Sequence, residues 1–284
     1  MTANNLSATS QTTIHAWLST AQRTISPLDA ELILAHVLGQ QRTFLHAHPD
    51  LALSTSQLSQ ADVLLKKRQN HTPLAYLIGK KSFYGRDFFV TPDVLIPRPE
   101  TEAIISFAKT LVPPPRAILD IGTGSGCLAI TLACEFPDAQ VLACDISERA
   151  LAIARKNAAL HSASVGFVCS DLFADLPHDA TYDLIVANLP YVDSEWSWLS
   201  PELAHEPKSA LFAPDHGLAL VKACLRVAPQ YLKKNAFLVL EADLSQHAAI
   251  VAYAQAHAPQ LEFIAQNDQN CAQNSSLALA WRHR

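Results

Sequence analysis

The chain of 284 residues is about half apolar (49%) and carries a formal net charge of −5, enough for one substantial core and a smaller second one. The acidic balance argues against a chain whose main task is gripping nucleic-acid backbone, and no apolar run approaches the roughly 18 residues that span a bilayer. The N-terminal MTANNLSATSQTT lacks the basic-then-apolar order of a signal peptide. The six cysteines (Cys127, Cys134, Cys144, Cys169, Cys224 and Cys271) show no CxxC pair, so reduced, buried thiols in a cytoplasmic protein are expected, without disulfides or a metal site.

From about Thr13 to Arg68, apolar residues recur at spacings of three and four, as in AELILAHVL and ADVLLKK, which predicts four or five helices. Ser26-Pro27 with Asp29 reads as a helix start and Gly39 as a stop. Residues 71 to 99 turn aromatic and β-branched, with Gly79 and Gly85 as turn points, and predict a hairpin linking two domains. A helix then runs to about Leu111, where Pro113-Pro114-Pro115 ends it.

Beyond Arg116, strands alternate with helices: AILDIG, a helix from Gly126 to Phe136, QVLACDI, a helix from Ser147 to His161, VGFVCSD, YDLIVANLPY, a helix from Leu218 to Tyr231, and AFLVLEAD. Such alternation implies an α/β, doubly wound, mostly parallel sheet, whose ligands sit beyond the carboxyl ends of the strands. The expected division is a helical domain at 1–72, a hairpin linker at 73–98 and the α/β domain at 99–284.

The strand ends carry the candidate chemistry. Gly122, Gly124 and Gly126, with Thr123 and Ser125 between them, form GxGxG; a dinucleotide fingerprint would need a glycine at Cys127. The offset favours S-adenosylmethionine over a pyrophosphate cofactor, although a tight βα turn alone would also account for it. Asp145 can accept from two ribose hydroxyls, or belong to the N-terminal region of the helix opened by Ser147. Asp171 can accept from an adenine amine, with Leu172 or Phe173 against the ring; a capped turn explains Asp171 almost as well. Asn188-Leu189-Pro190-Tyr191 is more telling. The Asn188 side-chain oxygen and the Leu189 carbonyl can accept both hydrogens of a planar NH2 group and aim its lone pair at a methyl donor. Pro190 stiffens the loop and Tyr191 can pack on the planar group, the bland alternative being an Asn turn after a strand.

On these residues the chain resembles the HemK-type methyltransferases, which modify the glutamine of the Gly-Gly-Gln loop in peptide chain release factors. The likeness runs from roughly Asp29 to Leu240. It includes DAELILAHVLG, PLAYLIGKKSFYGRDFFVTPDVLIPRPETE, DIGTGSG, NLPY and HEPKSALFAPDHGLAL. The resemblance implies a Rossmann-like S-adenosylmethionine-dependent methyltransferase domain behind a helical domain that docks the release factor. It places Gly122, Thr123, Gly124, Ser125, Gly126, Asp145, Asp171 and Leu172 at the cofactor, with Asn188 touching it as well. Asn188, Leu189, Pro190 and Tyr191 would bind the glutamine, and Asn188, Pro190 and Tyr191 would form the catalytic set. Arg98 and Glu100 would border the same pocket, unless they pair with each other or cap the next helix.

The chain departs from the family pattern where Leu189 replaces the first proline of NPPY, which implies a looser loop. It departs again where Lys234-Asn235 replaces a glycine pair, and in the C-terminal segment DQNCAQNSSLALAWRHR, which puts turn geometry and C-terminal packing in question. A monomer without stable nucleic-acid or membrane partners is expected. The alternatives are methylation of a ribosomal-protein glutamine, methylation of an adenine amine in DNA or RNA, and a cofactor-binding module that has lost catalysis.

Overall fold

A computed structural model describes residues 12–266 and 276–284. The chain forms two compact units, Met1–Gly79 and Lys80–Arg284.

In the first unit, α1 (Ile14–Ala21), α2 (Pro27–Leu38), α3 (Arg42–Ala47), α4 (Thr55–Gln69) and α5 (Leu74–Ile78) surround a core that includes Ile14, Trp17, Ile33, Leu34 and Leu45. Ser26 caps α2 by accepting from Asp29 N, Pro27 opens it, and Gly39 ends it at φ 63°, where a glycine carries no Cβ penalty. Ser54 and Gln57 form a reciprocal capping box at α4. The unit extends past residue 72 because α5 sends Leu74 and Leu77 against the same core. The expected hairpin linker therefore begins later, at Lys80, and belongs to the second unit.

That unit opens with the antiparallel pair β1 (Lys80–Phe83) and β2 (Arg86–Phe89), followed by α6 (Glu102–Ala108). Then come β3 (Ala117–Ile121), α7 (Cys127–Glu135), β4 (Gln140–Asp145), α8 (Glu148–Leu160), β5 (Val165–Cys169) and β6 (Tyr182–Ala187). The chain continues through α9 (Lys208–Leu211), α10 (Ala219–Val227), β7 (Leu232–Asp243), α11 (His247–His257), β8 (Leu261–Gln266) and β9 (Ser276–His283). The seven-stranded sheet has the order β5-β4-β3-β6-β7-β9-β8, parallel from β5 to β7 and antiparallel at β9 and β8. The order reverses between β3 and β6, so this edge is the switch point where an open α/β sheet leaves room for a ligand.

Two apolar layers sandwich the sheet, one built around Leu225, Leu238 and Trp281 and the other around Ile104, Ile118 and Leu128. Asn235 stands where the family has a glycine and takes φ 65°, a region asparagine tolerates, and its side chain accepts from Arg282 at 2.6 Å. The replaced turn is thereby pinned to β9. Residues 267–275, including Cys271 and much of the divergent C-terminal segment, lie outside the described residues. Not all the thiols are buried: Cys144 and Cys224 are, Cys127 and Cys134 are half-buried, and Cys169 is exposed.

Candidate active site

The carboxyl ends of β3, β4 and β6 open onto a cavity of about 580 Å³, a size that suits a small ligand. Gly122, Thr123, Gly124, Ser125, Asp145, Asp171, Leu172, Asn188, Leu189, Pro190 and Arg98 all border it. Three expected residues do not. Gly126 is buried at the start of α7, where a Cβ would meet Ile130 Cδ1 at 2.8 Å and Ala154 Cβ at 3.1 Å, so it serves the close approach of α7 to α8. Glu100 lies in the turn before α6, outside the cavity wall. The Tyr191 hydroxyl donates to Glu241 Oε1 at 2.9 Å, so the phenol is turned toward β7.

The glycine loop is held from beneath by local bonds. Asp120 Oδ2 accepts from Thr123 Oγ1 at 2.7 Å and from Ala129 N at 3.1 Å, which ties the loop to α7. Burial pushes the Asp120 carboxyl up to about 7 despite those two donors. Asp145 receives Gly124 N and Ser147 N, each at 2.9 Å and each on a different oxygen. Both of its proposed roles are thus compatible: it braces the loop and the next helix, and each oxygen keeps a further lone pair. Burial raises its pKa, with backbone donors from Ser147, Gly124 and Ile146 opposing. A Cβ on Gly124 would meet nothing of the protein, so this stretch of backbone is open to a ligand.

Leu172, at φ 51°, is locked by Ser170 Oγ and Cys144 Sγ, both donating to its carbonyl. Of the two candidates for an apolar contact it is the one on the cavity wall, since Phe173 is buried and stacks on Tyr231. Ile146, 65% exposed beside the cavity, is an apolar wall that the sequence reading passed over.

The NLPY loop is held by more distant partners. Asn188 Nδ2 donates to Thr101 Oγ1 at 3.0 Å, which leaves Oδ1 as the side-chain acceptor at the cavity. Leu189 is 4% exposed and belongs to the main core, and a Cβ on Gly122 would lie 3.1 Å from its Cδ2. The loop is therefore anchored by side-chain burial rather than loosened by the lost proline. The Tyr191 carbonyl accepts from Gln246 Nε2 at 2.8 Å, and any Cβ at Gly217 would overlap that carbonyl oxygen. Arg98 pairs with Glu206 at 2.5 Å rather than with Glu100, and Glu206 also accepts from Ile96 N at 3.0 Å. Glu206 is 5% exposed, so the pair is a clamp holding the IPRPE loop against the cavity. Asn157 bonds both Phe89 N and O and the Ser125 carbonyl, joining the hairpin to the glycine loop.

Comparison with known proteins agrees with this geometry. Residues 13–79 match the PrmC N-terminal domain and residues 102–211 the methyltransferase small domain. The chain is 38% identical to a release factor glutamine methyltransferase of Neisseria gonorrhoeae, covering 84% of this chain and 87% of that one. It is 36% identical to the Escherichia coli protein of the same name, covering 82% and 85%. The chain belongs to the release factor glutamine methyltransferase family.

Two solved structures share the methyltransferase fold. One is a methyltransferase from Pyrococcus furiosus (TM-score 0.53, 18% identity, covering 79% of this chain and 98% of that one). The other is the Thermus thermophilus 16S rRNA N2 G1207 methyltransferase in complex with AdoMet and guanosine (TM-score 0.53, 17% identity, covering 72% and 50%). Within this family frame, Thr101, Glu206, Gly217, Glu241 and Gln246 join Ile146 among the residues that the sequence reading missed. Thr101 and Glu206 lie inside quoted motifs, PRPETE and HEPKSAL, and could have been found there. Among the described residues no helix is long and apolar enough to cross a membrane.

Proposed function

We propose that the chain transfers the methyl group of S-adenosylmethionine to the side-chain amide nitrogen of the glutamine in the Gly-Gly-Gln loop of peptide chain release factors. The observation that carries this reading is the hydrogen bond of Asn188 at the cavity wall: its Nδ2 donates to Thr101 Oγ1 at 3.0 Å, which leaves Oδ1 for the acceptor amide, with the Leu189 carbonyl as the second acceptor in this reading. Two acceptors on one short loop suit the two hydrogens of a planar amide and reject a group that has none to give.

The cavity fits the cofactor. The backbone open at Gly124, the spare lone pairs of Asp145 and the apolar surfaces of Leu172 and Ile146 suit an amino-acid tail, a ribose and an adenine respectively. When bound, the cofactor supplies a methyl group activated by a cationic sulfur. The chain's own residues then orient and polarise. Asn188 and Leu189 draw the amide hydrogens toward themselves, raise electron density on nitrogen and hold it in line for attack. As the nitrogen takes the methyl group and the methyl–sulfur bond breaks with its electron pair left on sulfur, the nitrogen passes one proton to water, and no strong base has to remove it beforehand.

The helical unit, residues 13–79, is proposed to dock the release factor. Such a substrate implies the cytoplasm as the place of reaction, and because one chain carries the whole clamp a monomer suffices. Incubation with radiolabelled S-adenosylmethionine and a release factor tests the reading. Label on the intact factor, and none when its loop glutamine is changed to alanine, is expected. Label on DNA, RNA or a ribosomal protein instead would replace the substrate.

A further inference from the structure

Asn157 holds two walls of the cavity with one amide group. It lies on α8 and is fully buried. Helix formation does not explain its place, since asparagine is neutral to unfavourable inside a helix. Its side chain meets three backbone groups from distant parts of the chain. Oδ1 accepts from Phe89 N at 2.7 Å, and Nδ2 donates to the Phe89 carbonyl at 3.0 Å and to the Ser125 carbonyl at 2.8 Å. Both amide hydrogens are thereby used. The Ser125 carbonyl lies outside the ladder of α7, which begins with the Gly126 carbonyl accepting from Ile130 N, so Asn157 supplies a donor that the helix does not. Beyond Phe89 the chain turns at Thr91, whose hydroxyl oxygen accepts from Asp93 N at 3.3 Å and whose carbonyl accepts from Val94 N at 3.1 Å. Val90 and Val94 are buried on either side of this turn. The anchored end of β2 thus leads without slack into Pro92, Asp93 and Val94 on the cavity wall, while Ser125 stands on the wall formed by the glycine loop.

We propose that Asn157 is a positioning residue for S-adenosylmethionine: it sets the spacing between the glycine loop and the wall at 92–98, and so holds the cavity at the width of the cofactor before the cofactor binds. The proposal rests on the reading of this half of the cavity as the cofactor site. A glycine-rich loop loses much conformational freedom when it is ordered, and a ligand that has to order it binds more weakly. A buried amide with its bonds made pins both walls to a rigid helix and takes that cost out of binding. The other ties between α8 and the hairpin hold the hairpin alone: His161 Nε2 meets the Asp87 carbonyl at 2.8 Å, and Lys156 Nζ lies 3.8 Å from the centre of the Phe89 ring. Asn157 touches no part of the acceptor loop, so its effect belongs to cofactor affinity and not to the methyl transfer that follows.

Asn157→Leu keeps the size of the side chain and removes all three bonds; Asn157→Ser, a milder change too short to span both walls, is made in parallel so that one folded variant is in hand. Each is studied well below its thermal midpoint. S-Adenosylmethionine affinity by calorimetry should fall roughly 10- to 100-fold, the scale of one or two lost hydrogen bonds, while the single-turnover rate at saturating cofactor stays within about threefold of the parent, as expected for a group outside the reacting set. Hydrogen exchange in the ligand-free variants should rise together at 89–98 and 122–128. Two controls separate positioning from general stability. His161→Ala, which frees only the hairpin, and Leu225→Ala, which opens a core cavity in the apolar layer across the sheet from α8, should lower the thermal midpoint yet leave cofactor affinity within about threefold. Parent affinity in the Asn157 variants, or an equal loss of affinity in either control, would overturn the proposal. Asp145→Ala is run alongside. Weakened affinity there with parent affinity in the Asn157 variants refutes the role of Asn157 alone, while parent affinity in both refutes the cofactor reading of the cavity and this role with it.

Discussion

The two halves of the cavity are built in different ways. On the proposed cofactor side, most anchors of the loop from Gly122 to Gly126 are close to it in the chain or on the adjacent strand: Asp120 holds Thr123 and Ala129, and Asp145 holds Gly124, while Asn157 of α8 adds a bond to the Ser125 carbonyl. On the proposed acceptor side, Asn188 to Tyr191 depends on Thr101, Gly217, Glu241 and Gln246, which lie far away in sequence. A binding loop for a constant ligand can be fixed by its own turn. A clamp that must present two acceptors at defined angles needs side chains from several elements to remove its remaining freedom.

The sharpest way to break this contrast is Gly217→Ala. The added Cβ would overlap the Tyr191 carbonyl and crowd Gln246 Nε2 at 2.7 Å, at a residue with φ 82°. The end of the NLPY loop must then move, and methyl transfer should fall at least about 100-fold, as expected when a reacting group is displaced by about an ångström. Cofactor affinity, measured by calorimetry, should remain close to that of the parent because no anchor of the glycine loop is touched. A matching loss of cofactor affinity would mean that the two halves are not independent.

A smaller effect sharpens the cofactor side. Burial holds the Asp120 carboxyl up at about 7, against 3.8 for the free group. Between those values the folded protein keeps a proton that the unfolded chain releases. Stability therefore declines as pH rises from about 4 to 7, by on the order of 4 kcal/mol from this group alone, and the decline stops once both states are ionised. Asp120→Asn removes that dependence. In thermal melts of the ligand-free protein, the variant's midpoint should gain on the parent's steadily across the window. A constant difference would show that Asp120 does not titrate there.

The same contrast explains how much could be read from the sequence. GxGxG, Asp145 and the alternation of strands and helices are local patterns, and they located the sheet, its switch point and the cavity wall. Asn188 was legible because it ends a strand within a tetrapeptide of restricted chemistry. Its anchors were not, because a buried glutamate in AFLVLEAD looks like any polar residue at a strand end until the parallel register places it beside Asn188. Gly126 was read as a ligand contact because glycine spacing cannot separate the approach of a ligand from the approach of a helix; the Cβ clash with Ile130 and Ala154 does. Leu189 was read as a loosening substitution because its burial in the main core is a tertiary fact.

Asn188→Ala and Asp145→Ala, compared in the same assay, test the division of labour most directly. Cofactor affinity is measured by calorimetry, and the rate of methyl transfer to a release factor is measured in a single turnover at saturating cofactor. Asn188→Ala should leave affinity within about twofold and lower the rate by about 1,000-fold, the scale of a lost preorganised polar contact. Asp145→Ala should weaken affinity by roughly 10- to 100-fold, the scale of lost hydrogen bonds to a charged group, and largely spare the rate. Comparable loss of cofactor affinity in both variants, or an undiminished rate in Asn188→Ala, would contradict the account.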